Sequence, residues 1–591
     1  MLRSFALRHG AALATPRPIT KNKSSAKRFM WFSFTLSEDY TSDTGSKTGF
    51  VFTNQIPATI DAMRTPIKVF ILAGQSNMVG SDAHAAKIDS YPTYKGAGAT
   101  QPDVRFTSLP DLPKAGFQGW SPLTPNDAYG PEITFARAVT KAIKQPIAII
   151  KSAIGGTTAA YDWNPDAPEK GQKLYPRTLE LIRGALKNLT EQGIPYTIEG
   201  VLWHQGENDM LDRSINRSYA ANLTRIIKQF RTDLGLPNLK WYMGEVSTKG
   251  IWGMDNRANL AILRVQQQQV LDSDKLITFV PTSHLAFDVM GSGQPHYHFG
   301  TQGQLQMGDA FADTYLAAIG KKSRPKSVRF RHTLPVGSTI HLVVIAGQRN
   351  SEGEDAFVQD LNTSPNSVKL AAPQQNISYR YSLGGGAEIS NDWEPLHVVS
   401  KLGNFGPELS LGATLRTQLP ATDGLAIVKF THSGAQLPDW SPAGSAESQR
   451  NLYKPLRDFI VAAKKDLEKR GYVVNVDALF WHAGENDTYF GSYVRGYGQR
   501  LSAMFSQLRT DLAATKLTFY CSKQHPKSPW VNIDQMNREL DALTATTGQT
   551  QTVVISTDRL PHGKVHFGTD GIIALGNAYA AAHKTRNTAI N

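Results

Sequence analysis

An internal repeat restricts the fold of this chain more than any other feature. The segment beginning at Val69 reads VFILAGQSNMVG, and the segment beginning at Leu342 reads LVVIAGQRNSEG. Further pairs follow in the same order: GWSPL ending at Leu123 with DWEPL ending at Leu396, GPE at Gly130 and Gly406, LWHQGEND ending at Asp209 with FWHAGEND ending at Asp487, RTDL at Arg231 and Arg509, and HFGT at His298 and His566. The offset runs from 268 (His298 to His566) to 278 (Asp209 to Asp487), the size of a whole domain and far longer than a solenoid unit. Two copies of one architecture are therefore expected, at 65–320 and 336–585. They are joined by a basic linker over 321–335 and preceded by a leader and linker over 1–64.

Within each copy, short β-branched runs alternate with longer amphipathic stretches. In the first copy the runs are Lys68–Ala73, Pro146–Lys151, Gly200–His204, Lys240–Met243 and Leu276–Val280. Helix-like patterns at Glu132–Lys144, Thr178–Leu189 and Tyr219–Leu234 separate them. Continuous apolar strands with helices between them predict an α/β fold with a parallel sheet covered on both faces. Functional residues in such sheets gather at the carboxyl ends of the strands. GQSN, IGGT and HQGEND follow the first three runs directly.

These blocks contain the parts of a serine acyl-transfer site. A serine hydroxyl needs a base within hydrogen-bond reach, an acid that orients the base, and donors for the oxyanion. Ser76 stands in a strand-to-helix turn between Gly74 and Gly80, and His298 stands just ahead of a helix pattern starting near Gly300. The N–H groups of Ser76, Gly155 and Gly156, with the side-chain amide of Asn208 or Gln205, are the candidate oxyanion donors. His296 and His298 have a metal-like spacing, but no cysteine or nearby carboxylate completes a ligand set, so neither metal nor cofactor is expected. Asp209 is expected to bind its own loop, and Trp203 and His204 to pack the strand end.

GQSN, the Gly-Gly loop, HQGEND and the terminal HF segment resemble the blocks of SGNH hydrolases. More narrowly, they are similar to the sialate O-acetylesterase and acetylxylan-esterase group of carbohydrate esterases. The resemblance spans almost all of 66–320 and, more weakly, 340–585. It implies two tandem flavodoxin-like three-layer domains, Ser76 as nucleophile, His298 as base and Asn208 as oxyanion donor. It further implies removal of O-acetyl or other short acyl groups, with an acetylated carbohydrate or another small ester as partner. One departure stands out: the group's last block is DxxH, and Pro295 occupies the aspartate position. Some similar esterases use the glutamate of HQGE, which nominates Glu207. Asp288 and a bare Ser-His pair are the alternatives.

The second copy places Arg349 where the first has Ser76, so it is expected not to hydrolyse esters, although Glu485, Asn486 and His566 are retained. Their retention reads as structural inheritance or as a residual sugar or carboxylate pocket floored by Arg349. Two rival readings of the chain are a non-catalytic carbohydrate-binding protein and a general carboxylesterase or lipase.

The net charge of +13 suggests nucleic acid until its distribution is considered. Residues 1–37 hold seven Arg and Lys and no acid, leaving only +6 over the remaining 554 residues, too mild for a nucleic-acid partner. The acid-free leader resembles a mitochondrial transit peptide, whereas family analogy suggests secretion. A disordered tail or a mistaken start codon is the other reading of the leader. No run of eighteen apolar residues suits a membrane span, and the single cysteine, Cys521, reads as a buried structural thiol. The oligomeric state stays open.

Overall fold

A computed structural model describes residues 65–590 except 111–115, 167–170, 252–253, 287–296, 322–327, 364, 546–550 and 564. The leader over 1–64, the alternative acid Asp288 and His296 lie outside the described residues.

The central strand of the first copy, β1 (Ile67–Gly74), turns Val69, Ile71 and Ala73 to one face and Phe70 and Leu72 to the other, and all five are buried. A strand buried on both faces must lie inside a covered sheet. The remaining strands are β2 (Gln101–Ser108), β3 (Ser121–Leu123), β4 (Ile147–Ala153), β5 (Tyr196–His204), β6 (Trp241–Gly244) and β9 (Ile277–Val280), with a two-stranded hairpin of β7 (Gly250–Ile251) and β8 (Met254–Asp255) set apart. The sheet runs in the order β3-β2-β4-β1-β5-β6-β9. All its neighbours are parallel except β2 with β3. The five apolar runs become β1, β4, β5, β6 and β9. Sequence periodicity missed β2 because QPDVRFTS buries only Val104 and Thr107.

The second copy repeats this arrangement. Its strands are β10 (Thr339–Gly347), β11 (Gln374–Leu383), β12 (Glu388–Ile389), β13 (Glu394–Leu396), β14 (Gly424–Thr431), β15 (Val473–His482), β16 (Thr518–Ser522) and β17 (Thr552–Ile555). They run β12-β11-β14-β10-β15-β16-β17, with β13 also on β11. Even the bulge in the central pair recurs, at Val69/Phe70 and at Leu342/Val343. The fold is thus two tandem α/β domains, each with a mostly parallel sheet between helical layers.

Two inherited ion pairs show what the repeated blocks do. In the GPE blocks, Glu132 accepts from buried Lys151 Nζ at 2.8 Å, and Glu408 from Lys429 Nζ at 2.9 Å. Lys151 also donates to Val79 O at 3.1 Å, which ties the end of the GQSN turn to the sheet. At the opposite strand ends, Lys68 pairs with Glu199 at 2.6 Å, and the equivalent His341 pairs with Asp477 at 2.5 Å and Asp423 at 3.2 Å. The hydrogen bond that His341 donates to Asp477 and the charges of both carboxylates raise the His341 pKa. A raised folded-state pKa contributes stability below the free imidazole value of about 6.5, and that contribution is lost as pH rises through the folded value. His341→Lys, which restores the first copy's residue, is expected to be about as stable as the wild type in mild acid and progressively more stable at higher pH. Thermal midpoints across a pH series check this; a constant difference between the two proteins would count against it.

Residues 63–591 form one compact unit. Arg450 donates to Glu245 at 2.9 Å and Lys249 to Gly434 O at 3.2 Å, both across the two copies. The Arg257 guanidinium lies over the rings of Phe490 and Tyr493, at 4.1 and 3.8 Å. Leu402 of the second copy joins an apolar cluster of the first. Cys521 is buried, and burial pushes its thiol pKa up. Among the described residues no helix is long and apolar enough to cross a membrane.

Candidate active site

Three strand ends converge on the GQSN turn. Gly74 at the end of β1 is in register with Ala153 of β4 and His204 of β5. The chain then turns sharply into the short helix Ser76–Val79, anchored by Gln75 N donating to His204 O at 3.1 Å. The two glycines that frame Ser76 are required by close approach. A Cβ on Gly74 would stand 2.1 Å from His204 O, and one on Gly80, at φ +88°, 1.7 Å from Tyr129 O. Ser76 itself is 7% exposed, and its Oγ makes no hydrogen bond with a described residue. Serine–base contacts of this kind commonly tighten only when substrate is bound.

His298 sits on the segment that enters the helix Thr301–Ala318. Its Nδ1 lies 2.7 Å from Asp82 Oδ2. The carboxylate fixes the proton on Nδ1 and leaves Nε2 as the ring nitrogen able to accept one. The backbone enforces this pairing: Asp82 bridges Gly300 in parallel fashion, and His84 N donates to Thr301 Oγ1 at 3.0 Å. Asp82 lies six residues after Ser76, so one turn delivers both side chains.

Glu207, the expected acid, is held away from His298. Glu207 does not meet the His298 ring; its Oε1 accepts from Asn77 Nδ2 at 2.6 Å and lies 3.5 Å from His204 Nδ1. Asn77 Oδ1 in turn accepts from Phe299 N at 3.0 Å. Among the described residues, Glu207 therefore reaches the histidine segment through Asn77 and the backbone beside His298. The reason is topological: HQGEND follows β5 and lies behind the GQSN turn, whereas the chain after that turn runs along the histidine segment.

The oxyanion side is assembled by a second network. An added Cβ on Gly155 would stand 3.4 Å from Ser76 Cβ, and one on Gly156, at φ +76°, 3.9 Å from Asn208 Nδ2. Asn208 Oδ1 accepts from Gln75 Nε2 at 3.1 Å, which turns Nδ2 toward the glycine loop. Gln205 does not supply a donor to this space. Its Nε2 is spent on Asp209 at 2.5 Å, Thr157 O at 3.0 Å and Gln75 Oε1 at 3.2 Å, so it braces the cradle from behind. Asp209 accepts from Ala159 N and Ala160 N at 2.9 and 3.2 Å and so ties the glycine loop to HQGEND. Burial pushes the Asp209 pKa up to about 7. His204 is buried, and burial lowers its pKa.

The structure thus brings Ser76, Gly156 and Asn208 together at one rim, pairs His298 with Asp82, and sets Glu207 and Gln205 behind them. Sequence reading missed Asp82, Asn77 and Gln75. The repeat held the signal for the first, because GSD at 80–82 aligns with GED at 353–355 and both copies keep the aspartate. In the second copy His566 Nδ1 likewise meets Asp355 Oδ2, at 3.0 Å.

Comparison with known proteins agrees with the duplication. A family model described as carbohydrate esterase, sialic acid-specific acetylesterase matches residues 66–317 and again 339–585. A probable carbohydrate esterase of Arabidopsis thaliana is 30% identical over 190 residues, which is 32% of this chain and 64% of that protein, so this chain matches just under two thirds of the relative. Among solved structures, an Arabidopsis thaliana protein covers 43% of this chain and 99% of its own at 23% identity and TM-score 0.33. A carbohydrate acetylesterase from Xanthomonas citri covers 44% and 59% at 21% identity and TM-score 0.32. The two family matches fall on the two sheets, and together they take in most of the sequence. The chain belongs to the carbohydrate esterase family of sialic acid-specific acetylesterases, a family of carboxylic ester hydrolases, and carries its domain twice.

Proposed function

We propose that the first copy is a serine esterase that removes O-acetyl groups from a carbohydrate through an acyl-enzyme. The observation that carries this reading is the Asp82–His298 pair, 2.7 Å apart, held on the segment stitched to the Ser76 turn. His298 Nε2 takes the proton of Ser76 Oγ as that oxygen bonds to the ester carbonyl carbon. The carbonyl oxygen becomes an oxyanion facing the Gly156 N–H and Asn208 Nδ2. Collapse breaks the bond to the sugar oxygen, which receives the proton from His298. Water then repeats the sequence in reverse roles: it gives a proton to His298, displaces Ser76 and leaves acetate. Asp82 holds the ring and stabilises the imidazolium formed in both halves. The carbohydrate as alcohol partner follows from family membership and from the names of the relatives.

The test is acetate release from a panel of O-acetylated sugars, including acetylated xylan oligomers and O-acetyl sialic acid, set against long-chain acyl esters. A pocket fitted to acetyl is expected to favour the acetyl sugars in kcat/KM by about a hundredfold or more. Preference for long acyl chains would assign a general carboxylesterase. Release no faster than without protein would leave only a binding role.

A further inference from the structure

The former ester site of the second copy has been rebuilt rather than filled. Arg349 replaces Ser76, and at the same spacing Glu354 replaces Ser81. Arg349 Nη1 donates to both Glu354 carboxylate oxygens at 3.2 Å, and Nε donates to Asn486 Oδ1 at 2.9 Å. Both side chains are buried, at 3% and 6% exposure. A buried ion pair carries a desolvation cost that an apolar filler would not. Around the pair, the oxyanion cradle survives: Gly434 has φ +79°, and an added Cβ would lie 3.9 Å from Asn486 Nδ2, the same distance as at Gly156 and Asn208.

The first copy closes this cradle from above. A Cβ on Gly434 would stand 2.3 Å from Ser283 O, and Lys249 donates to Gly434 O. What remains between the copies is a cavity of about 50 Å³. Lys249, Arg264, Arg349 and Arg450 line it, with Glu245 as the one carboxylate among its described lining residues. Glu354 and Asp439 pair with these cations from behind. Asp487 adds no full charge at neutral pH, because burial pushes its pKa up to about 8. Tyr489 and Ser247 are among the residues that line the cavity, and their buried hydroxyls make no hydrogen bond with a described residue. Arg349 Nη2 also makes no hydrogen bond with a described residue. Val246, Leu260 and Phe490 add apolar lining.

We propose that this interdomain cavity binds a small carboxylate of acetate size. A water needs about 10–15 Å³ of such space, so the cavity has room for about four waters, enough for a molecule as small as acetate. The guanidinium suits a planar two-oxygen anion, and Tyr489, Ser247 and Asn486 supply further donors. The apolar lining accommodates a methyl group, which favours acetate over formate or carbonate. The site therefore lies in the copy without a nucleophile, and its occupancy does not depend on turnover.

Binding of ¹³C-acetate to the full chain, measured by calorimetry and NMR, tests the site directly and independently of esterase activity. One saturable site is expected in the wild type and in Asn208→Ala, with acetate not displaced by equal chloride. The double change Arg349→Ser with Glu354→Ser, which installs the first copy's residues, is expected to weaken binding about a hundredfold. Tyr489→Phe removes one oxygen and is expected to cost about tenfold, and it reads the same site should the double variant fold poorly. Binding that survives both changes, that disappears in Asn208→Ala, or that is absent in the wild type would overturn the proposal.

Discussion

Replacing Ser76 by alanine is expected to lower acetate release from an O-acetylated sugar by about ten-thousandfold or more, with KM and thermal midpoint nearly unchanged. The large loss follows from the proposed chemistry, in which Ser76 Oγ is the only acyl acceptor. Arg349 stands in its place in the second copy, where its guanidinium is held by Glu354 and Asn486, so that copy offers no substitute nucleophile. The small effect on stability follows from the local geometry. Ser76 Oγ makes no hydrogen bond with a described residue, so deleting it orphans no described partner, and a shift within about 0.5 kcal/mol is expected. What the first copy retains without Ser76 is its cradle of Gly156 and Asn208, which still polarises a carbonyl and accounts for any residual rate above that in water. Acetate measured under single-turnover conditions separates the loss of chemistry from any change in product release. Activity within tenfold of the wild type would move the nucleophile elsewhere or make water the direct attacker.

Much of the architecture was legible because the repeat and the apolar runs answer to the same physics. A strand buried on both faces has to be continuously apolar, so β1, β4, β5, β6 and β9 announce themselves in sequence. An edge strand does not: β2 carries Asp103 and Arg105 and buries little, and only its pairing with β4 defines it. The site was legible to the same degree. Ser76, Asn208 and the glycine loop follow strands directly and must therefore lie at one rim. The carboxylate that meets His298 was not legible, because a partner for the histidine is expected along the chain near it or in HQGEND. It arrives instead from the GQSN turn, through a backbone bridge between Asp82 and Gly300 that links segments more than two hundred residues apart.

The two copies act as each other's control. Asn350 donates to Glu485 at 3.1 Å and accepts from Phe567 N at 2.8 Å, as Asn77 does with Glu207 and Phe299. The second copy keeps this network although Arg349 stands where the first copy has Ser76. A buried carboxylate that anchors a turn cannot be lost cheaply, since removing one partner leaves the other unsatisfied. Burial works against the charge on Glu485, yet His482 and Gln348 outweigh it and hold the carboxyl down, at about 2. Retention of Glu485 thus has a structural cause that needs no catalysis, since it anchors Asn350.

Asp82→Asn and Glu207→Gln are therefore expected to fail in different ways. An amide at position 82 can present its N–H₂ to His298 Nδ1 and favour the wrong tautomer, and it cannot stabilise the imidazolium that forms when Ser76 gives up its proton. The expected cost is about a thousandfold to ten-thousandfold in kcat with KM little changed. Because the Asp82 side chain is about a third exposed, its loss is expected to leave the thermal midpoint almost in place. Glu207 is buried, and its 2.6 Å bond to Asn77 is charge-assisted. Glu207→Gln is expected to destabilise the fold by about 1–3 kcal/mol. Any loss of kcat is then secondary, arising as Asn77 loosens its hold on the backbone at Phe299. Measuring kcat and the thermal midpoint together on both variants separates the two roles. If Glu207→Gln instead removes kcat at an unchanged midpoint while Asp82→Asn stays active, Glu207 orients the base, and the Asp82 contact serves only to join the two segments.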